Sequence, residues 1–465
     1  MSYWKRVCLG CALFAAMEIS SSAQTFTQLA SFTDGSSVFS SLVQGRDGGL
    51  YGISNNGGTG GYGTVFKVTP AGTLITMYRF CSQPNCTDGF YPFGALVLGT
   101  DGNFYGTAQN GGASGLGVVF KITPGGVYSV LHSFSGTDGN YPDAGLVLGS
   151  DKNFYGVTSG GGTLSVGTVF KMTPAGTLTT LHSFDGSDGS LPFAALVQGA
   201  DGNFYGTTAS GGANYGECST GCGTVFKITP AGKFSSLHSF DFTDGQEPFA
   251  PLVQTASGAF YGTTFKGAYV SWNGCSGGCG TIFEITSRGM TKTVYAFSGI
   301  AENPEVGLTL ASDGNFYGTL LGGGSCGDGV IYNVTPTGIF NTVEGLCYGN
   351  YTDAVVQAAN GKFYGTYASD NGNGLGAIYS LDTGLGPFVA FVLPSSKIGQ
   401  TAQILGQGLT GTTGVTFNGV AATKFSVVSD TYMTAVVPAG ATTGAVVVAT
   451  PAGNLTSNVS FRISP

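Results

Sequence analysis

Residues 195–248 read ALVQGADGNFYGTTASGG (195–212), ANYGECSTGC (213–222), GTVFKITPAGK (223–233), FSSLHSF (234–240) and DFTDGQEP (241–248). Four short apolar runs stand here between glycine-rich breaks: LVQG, NFYGTT, TVFKIT and FSSLHSF, taken as strands A, B, C and D. Apolar residues fall on both faces of A to C, while D alternates, which is the pattern of strands and not of helices. Asp-Gly-Asn between A and B is a two-residue hairpin signal, and Pro-Ala-Gly between C and D marks a second tight turn. The stretch is therefore one four-stranded antiparallel unit.

The same unit recurs along the chain with a period near 50 residues. Its strand-A Leu or Val, strand-B Tyr and strand-C Phe or Tyr fall at Leu42, Tyr51 and Phe66; Leu96, Tyr105 and Phe120; Leu146, Tyr155 and Phe170; and Leu196, Tyr205 and Phe226. They continue at Leu252, Tyr261 and Phe283; Leu308, Tyr317 and Tyr332; and Val355, Tyr364 and Tyr379. Seven antiparallel units imply an all-β, seven-bladed β-propeller, because radial repetition leaves only short edges. The seventh unit lacks a strand D, and the segment TFTQLASF near the N-terminus matches one. An N-terminal strand completing the last blade is thus expected to close the ring. In such a meander the A–B and C–D turns share one face. The B–C and D–A connections share the other, which carries the insertions and is the expected functional face.

Composition narrows the rest. The chain has 465 residues with 81 Gly, 33 Phe and 22 Tyr, 9% charged residues and a net charge of -8. That apolar content supports a folded core, and the acidic balance without a basic cluster excludes a nucleic-acid partner. Residues 1–23 read as a secretory signal peptide, with Lys5 and Arg6 before an apolar run and Ser21-Ser22-Ala23 at the cleavage site. No later run is long enough to span a bilayer as a helix. The reading is an exported protein, secreted or held at the envelope. Residues 24–386 form the propeller and 387–465 a small Ig-like β-sandwich, its short strands divided by Gly, Asn, Asp and Pro. The chain leaves the seventh unit on the tight-turn face, so the sandwich is expected to hang away from the functional face.

DGNFYGTT, GTVFKITPAG and LHSF, repeated over residues 25–386, resemble the Gloeo-Verruco (GloVer) tandem repeat of exported bacterial proteins. ILGQGL and the VTFNGVAATKFSVV segment look like an IPT/TIG immunoglobulin-like domain. The first resemblance implies a propeller without a defined activity. The second implies a structural or interaction role.

Chemistry is sparse. The histidines, His132, His182 and His238, share one repeat position, which is the mark of a structural role and leaves no Ser-His-Asp triad. Eight cysteines follow the signal peptide: Cys81 with Cys86, Cys218 with Cys222, Cys275 with Cys279, and Cys326 with Cys347 are disulfide candidates. A bridge over so short a loop adds about 2 kcal/mol, enough to stiffen a loop. The competing arrangement is a four-thiolate zinc site from Cys218, Cys222, Cys275 and Cys279. Disulfides are preferred, and no metal or cofactor is expected. Asp34, Asp88, Asp138, Asp188 and Asp244 iterate in the D–A loops, and Asp101, Asp201 and Asp313 in the A–B turns, both as turn chemistry. The acids outside the repeat, Asp143, Glu217, Glu247, Glu302, Glu305 and Asp328, show no spacing that selects a catalytic pair. Trp272 and Tyr269 in the longest B–C loop, with Tyr215 in the neighbouring one, are the candidate ligand contacts, as exposed rings suit sugars. The sequence thus points to a non-catalytic binding or scaffolding protein for a cell-surface or environmental polysaccharide or another surface protein. A glycosidase or lyase, and an adhesive component acting through the sandwich, are the alternatives.

Overall fold

The computed structural model describes residues 24–34, 38, 40–216, 218–268, 277–298, 304–324, 327, 329–346, 353–367 and 376–464. Among them there is no α-helix, and hence none long and apolar enough to cross a membrane. The repeats form seven four-stranded antiparallel sheets. In the fourth unit strand A is Val197–Gln198, B is Phe204–Thr208, C is Thr224–Ile228 and D is Phe234–Ser239, hydrogen-bonded in that order. Strands B and C are buried along most of their length and D is half exposed, so each sheet is two-sided inside and amphipathic at its rim. Every complete sheet carries one register shift between C and D, at Val225/Phe226 in this unit.

The invariant Gly of strand B has a steric cause. A Cβ on Gly206 would lie 2.6 Å from Phe226 Cζ, so the strand-C ring crosses strand B only where there is no side chain. The strand-B aromatics then join neighbouring sheets. Tyr51 stacks on Phe104 and Tyr155 on Phe204, and Tyr205 packs at a tilt on Phe260, with centroids 4.0, 3.8 and 4.1 Å apart. Offset ring pairs of this kind add to the area they bury.

The N-terminal strand Thr25–Ser31 pairs with Ala377–Asp382 of the seventh unit, giving that sheet its fourth strand. The seventh and first sheets also meet as consecutive ones do. Ala359 N donates to Gln44 Oε1 at 2.8 Å, as Ala200 N does to Gln254 Oε1, and Tyr364 shares a core with Leu42, Leu50 and Phe66.

The C-terminal segment is a pair of four-stranded sheets over one core that includes Ile404, Phe417, Met433, Val446 and Phe461. It lies on the tight-turn side, away from the face of the B–C and D–A connections as expected, and it is packed against the repeats there. Arg46 Nη2 donates to Thr100 O and Gln403 Oε1, Thr431 Oγ1 donates to Arg46 O, and Arg462 reaches the carbonyl of Gly199. Leu405 and Tyr432 join the core of the first two sheets, and Leu393 that of the second and third. Apolar side chains at the end of a linker gain more from this burial than from solvent.

Candidate functional site

Two adjacent repeat positions, three and two residues before the strand-A Leu or Val, face the centre of the array. The first of them holds Phe93, Phe193 and Phe249 in units two, four and five, but Asp143 and Glu305 in units three and six. The second is small or apolar at Gly94, Ala144, Ala194, Ala250 and Val306, but Asp353 in unit seven. Strand A is the innermost strand of each sheet, so the segments leading into all seven strands converge on one cavity of about 590 Å³. Its lining is mainly apolar and includes the three phenylalanines and the three acids. The rings of Phe193 and Phe249 are 5.8 Å apart.

The carboxyls are in different states. Asp143 is shielded by burial, which raises its pKa, while Ser159 Oγ (2.5 Å) and Gln109 Nε2 (2.7 Å) donate to its two oxygens and offset part of that rise. Glu305 is open to the cavity at the level of the whole residue, yet the surrounding walls still dehydrate its carboxyl and raise it. Asp353 is pushed up to about 7, first by burial and then by the Glu305 charge, against the Ala354 N–H that donates to Oδ1 at 2.6 Å. Its Oδ2 is closed off from water and, among the described residues, accepts no hydrogen bond. A group that changes charge near neutral pH in an apolar cleft is what proton transfer or charge-selective binding requires.

Of the ligand contacts singled out from the sequence, Tyr215 alone falls among the described residues, and it lies elsewhere. Tyr215 is exposed, donates to Gly186 O at 3.3 Å and does not line the cavity. Tyr269, Trp272, Cys275, Cys326, Cys347, Glu217, Glu302, Asp328 and residues 1–23 fall outside the described residues. Cys81 is bonded to Cys86 and Cys218 to Cys222, and Cys279 is also in a disulfide. Disulfide sulfurs are not thiolates, so these pairings favour the disulfide reading over the four-thiolate one. The iterated histidines pair with the iterated D–A aspartates: His132 with Asp138, His182 with Asp188 and His238 with Asp244, at 2.7–2.8 Å. Burial works against the charge of Asp138, but hydrogen bonds from Ser135 and His132 hold its carboxyl below the ordinary value. These are turn clamps. Of the acids outside the repeat, Asp143 and Glu305 enter the cavity, whereas Glu247 pairs with Lys266 at 3.1 Å. Asp353 went unnoticed because it stands one position away from the other two. A comparison of units, position by position, finds it as the one charge among small residues.

The Gloeobacter/Verrucomicrobia repeat model matches residues 15–149 and 101–304. A search of curated proteins returns no match. Among solved structures, a catalytically inactive virginiamycin B lyase from Staphylococcus aureus, crystallised with quinupristin, is similar at 13% identity and TM-score 0.53, covering 77% of this chain and 99% of its own. A putative 6-phosphogluconolactonase from Bacteroides uniformis is 16% identical with TM-score 0.46, over 77% of this chain and 92% of its own. At such identity the lyase shares a propeller-like all-β fold with this chain and nothing finer is carried over. By the extent of the repeat match, more than half of its length, the chain belongs to the Gloeobacter/Verrucomicrobia repeat family.

Proposed function

We propose that the mature chain is an exported seven-bladed propeller, closed by its N-terminal strand, that binds a small organic ligand in the axial cavity without transforming it. Residues 1–23 would direct export, 24–386 form the ring, and 387–465 act as an IPT/TIG-like sandwich on the tight-turn side. The functional face is still the one bearing the B–C and D–A connections. The site moves from the loops of units four and five, where a polysaccharide or a surface protein was expected, to the axis. The observation that carries this reading is the convergence of Asp143, Glu305 and Asp353 on one apolar cavity, since departures from a repeat mark function where the repeat itself marks scaffold.

The test is a thermal-shift screen of small molecules against the purified protein and against Ala195→Trp, which places an indole in the cavity. Ligands that raise the Tm of the wild type and not of the variant support the reading. Hits that are indifferent to Ala195→Trp sink it.

A second reading, a carbohydrate-active or other acid–base enzyme, is favoured by Asp353 alone. An acid held near 7 beside Glu305 can keep a proton at neutral pH and donate it. Product release with a pH–rate profile that breaks near 7 would promote it.

A further inference from the structure

The lining of the axial cavity also points to the charge of its ligand, and this step rests on the reading just proposed. Among the described residues, Asp143, Glu305 and Asp353 line it, whereas no lysine, arginine or histidine does. Basic side chains of the repeats are engaged elsewhere: Lys67, Lys171 and Lys227 pair with the A–B turn acids Asp47, Asp151 and Asp201, and Lys266 with Glu247. Nothing within the cavity walls neutralises the three carboxyls.

Hydrogen bonding separates them. Both oxygens of Asp143 receive donors from the protein. Asp353 Oδ2 receives none, although it is closed off from water. A carboxylate oxygen closed off without a donor is costly, and turning the carboxyl toward the cavity, where a ligand brings a donor, relieves that cost. Phe193 and Phe249 of units four and five line the same cavity, on the side of the ring that leads up to Glu305 of unit six. Ring faces attract both apolar groups and cations. An anion would meet like charges here, and a neutral polyol would leave its hydroxyls against phenylalanine.

We propose that the cavity takes an organic cation, an amine whose ammonium lies between Glu305 and Asp353 and whose apolar body packs on Phe193 and Phe249.

Calorimetric titration with three isosteric probes tests this: 2-phenylethylamine, 2-phenylethanol and phenylacetate. The amine should bind at least tenfold more tightly than the alcohol, and phenylacetate should not bind. Glu305→Gln, at an exposed position where the amide keeps the size of the side chain, should weaken the amine about tenfold and leave the alcohol unchanged. Between pH 6 and pH 8 the amine should tighten by about tenfold as Asp353 ionises; the groups facing it are Glu305 from the neighbouring unit, Tyr379 from its own sheet and Asp143 across the cavity. Equal binding of alcohol and amine, both abolished by Ala195→Trp, overturns the cation assignment and leaves the axial site standing. An amine that does not bind, or binds equally well to Ala195→Trp, also overturns it.

Discussion

Asp353 occupies a repeat position that elsewhere holds glycine, alanine, serine or valine, and its surroundings were not rebuilt to suit a charge. Tyr379 behind it is fully buried, and among the described residues its hydroxyl has no partner. Burial raises the hydroxyl pKa, and the Asp353 charge raises it further. Lifting a carboxyl from its ordinary range to about 7 costs up to ~4 kcal/mol in the ionised form, less whatever water entering from the cavity recovers. The sign follows from linkage. The unfolded chain releases this proton near pH 4 and the folded chain only near 7, so the fold loses stability as pH rises through that window, and the full penalty is present at pH 8. Asp353→Asn should therefore raise the Tm at pH 8 by several degrees and change it little at pH 4. Denaturation curves at the two values decide the matter; an equal effect at both would show that the carboxyl is not strained by its charge.

At the scale of elements, the D–A loops hold a strained residue at one repeated place. Tyr91, Tyr141, Leu191 and Glu247 each precede a proline and each has φ between 53° and 57°. Their backbones are pinned on both sides. Leu191 N donates to Val166 O in the preceding B–C loop, and its carbonyl accepts from Ala209 N just after the next strand B. The loop thus links units through main-chain bonds, and its side chains are left at the surface. A β-branched residue tolerates this region worst and glycine best. Leu191→Val should cost about 1 kcal/mol or more, while Leu191→Gly should be close to neutral, as read by urea midpoints. If the two variants behave alike, the positive φ is not maintained in solution. The four strands of each unit were legible from the spacing of Leu, Tyr and Phe, because alternation and turn residues act locally. The cavity was not, since Asp143, Glu305 and Asp353 are more than 40 residues apart in pairs and meet only through the radial arrangement of strand A. Asp143 and Glu305 could be set apart as acids outside the repeat, but no spacing along the chain could pair them. The packing of the C-terminal sheets on the tight turns was equally hidden, as Arg46, Gln403 and Thr431 carry no pattern that foretells their contact.

For the molecule as a whole, stability rests on how the last sheet is completed. Consecutive sheets are joined by short covalent connections, and the chain running on from the N-terminal strand joins the seventh to the first in the same way, but strands A to C of the seventh sheet are held to that strand and to the first sheet by contacts alone. Those contacts are the Ala359–Gln44 hydrogen bond, the core around Tyr364, and the pairing of Thr25–Ser31 with Ala377–Asp382. The N-terminal strand adds more than backbone bonds: Phe26 stacks on Tyr379 at 4.9 Å, and Tyr367 Oη donates to Gln28 Oε1 at 2.5 Å. Without that strand, Ala377–Asp382 becomes an exposed edge and Tyr379 loses the ring that covers it. Closure by exchange therefore predicts that a mature chain lacking residues 24–32 melts at least 10 °C lower than the intact one and self-associates through the open edge. A synthetic peptide of residues 24–32 should restore the Tm in a concentration-dependent manner, because it binds only the folded state. The axial cavity supplies a second readout, since Asp353 stands at the entrance to the innermost strand of that same sheet: ligands found in the screen should lose affinity on deletion and regain it with the peptide. An unchanged Tm in the deleted chain would mean that the seven sheets are held by their cores without exchange, and that the N-terminal strand is an accessory to the ring.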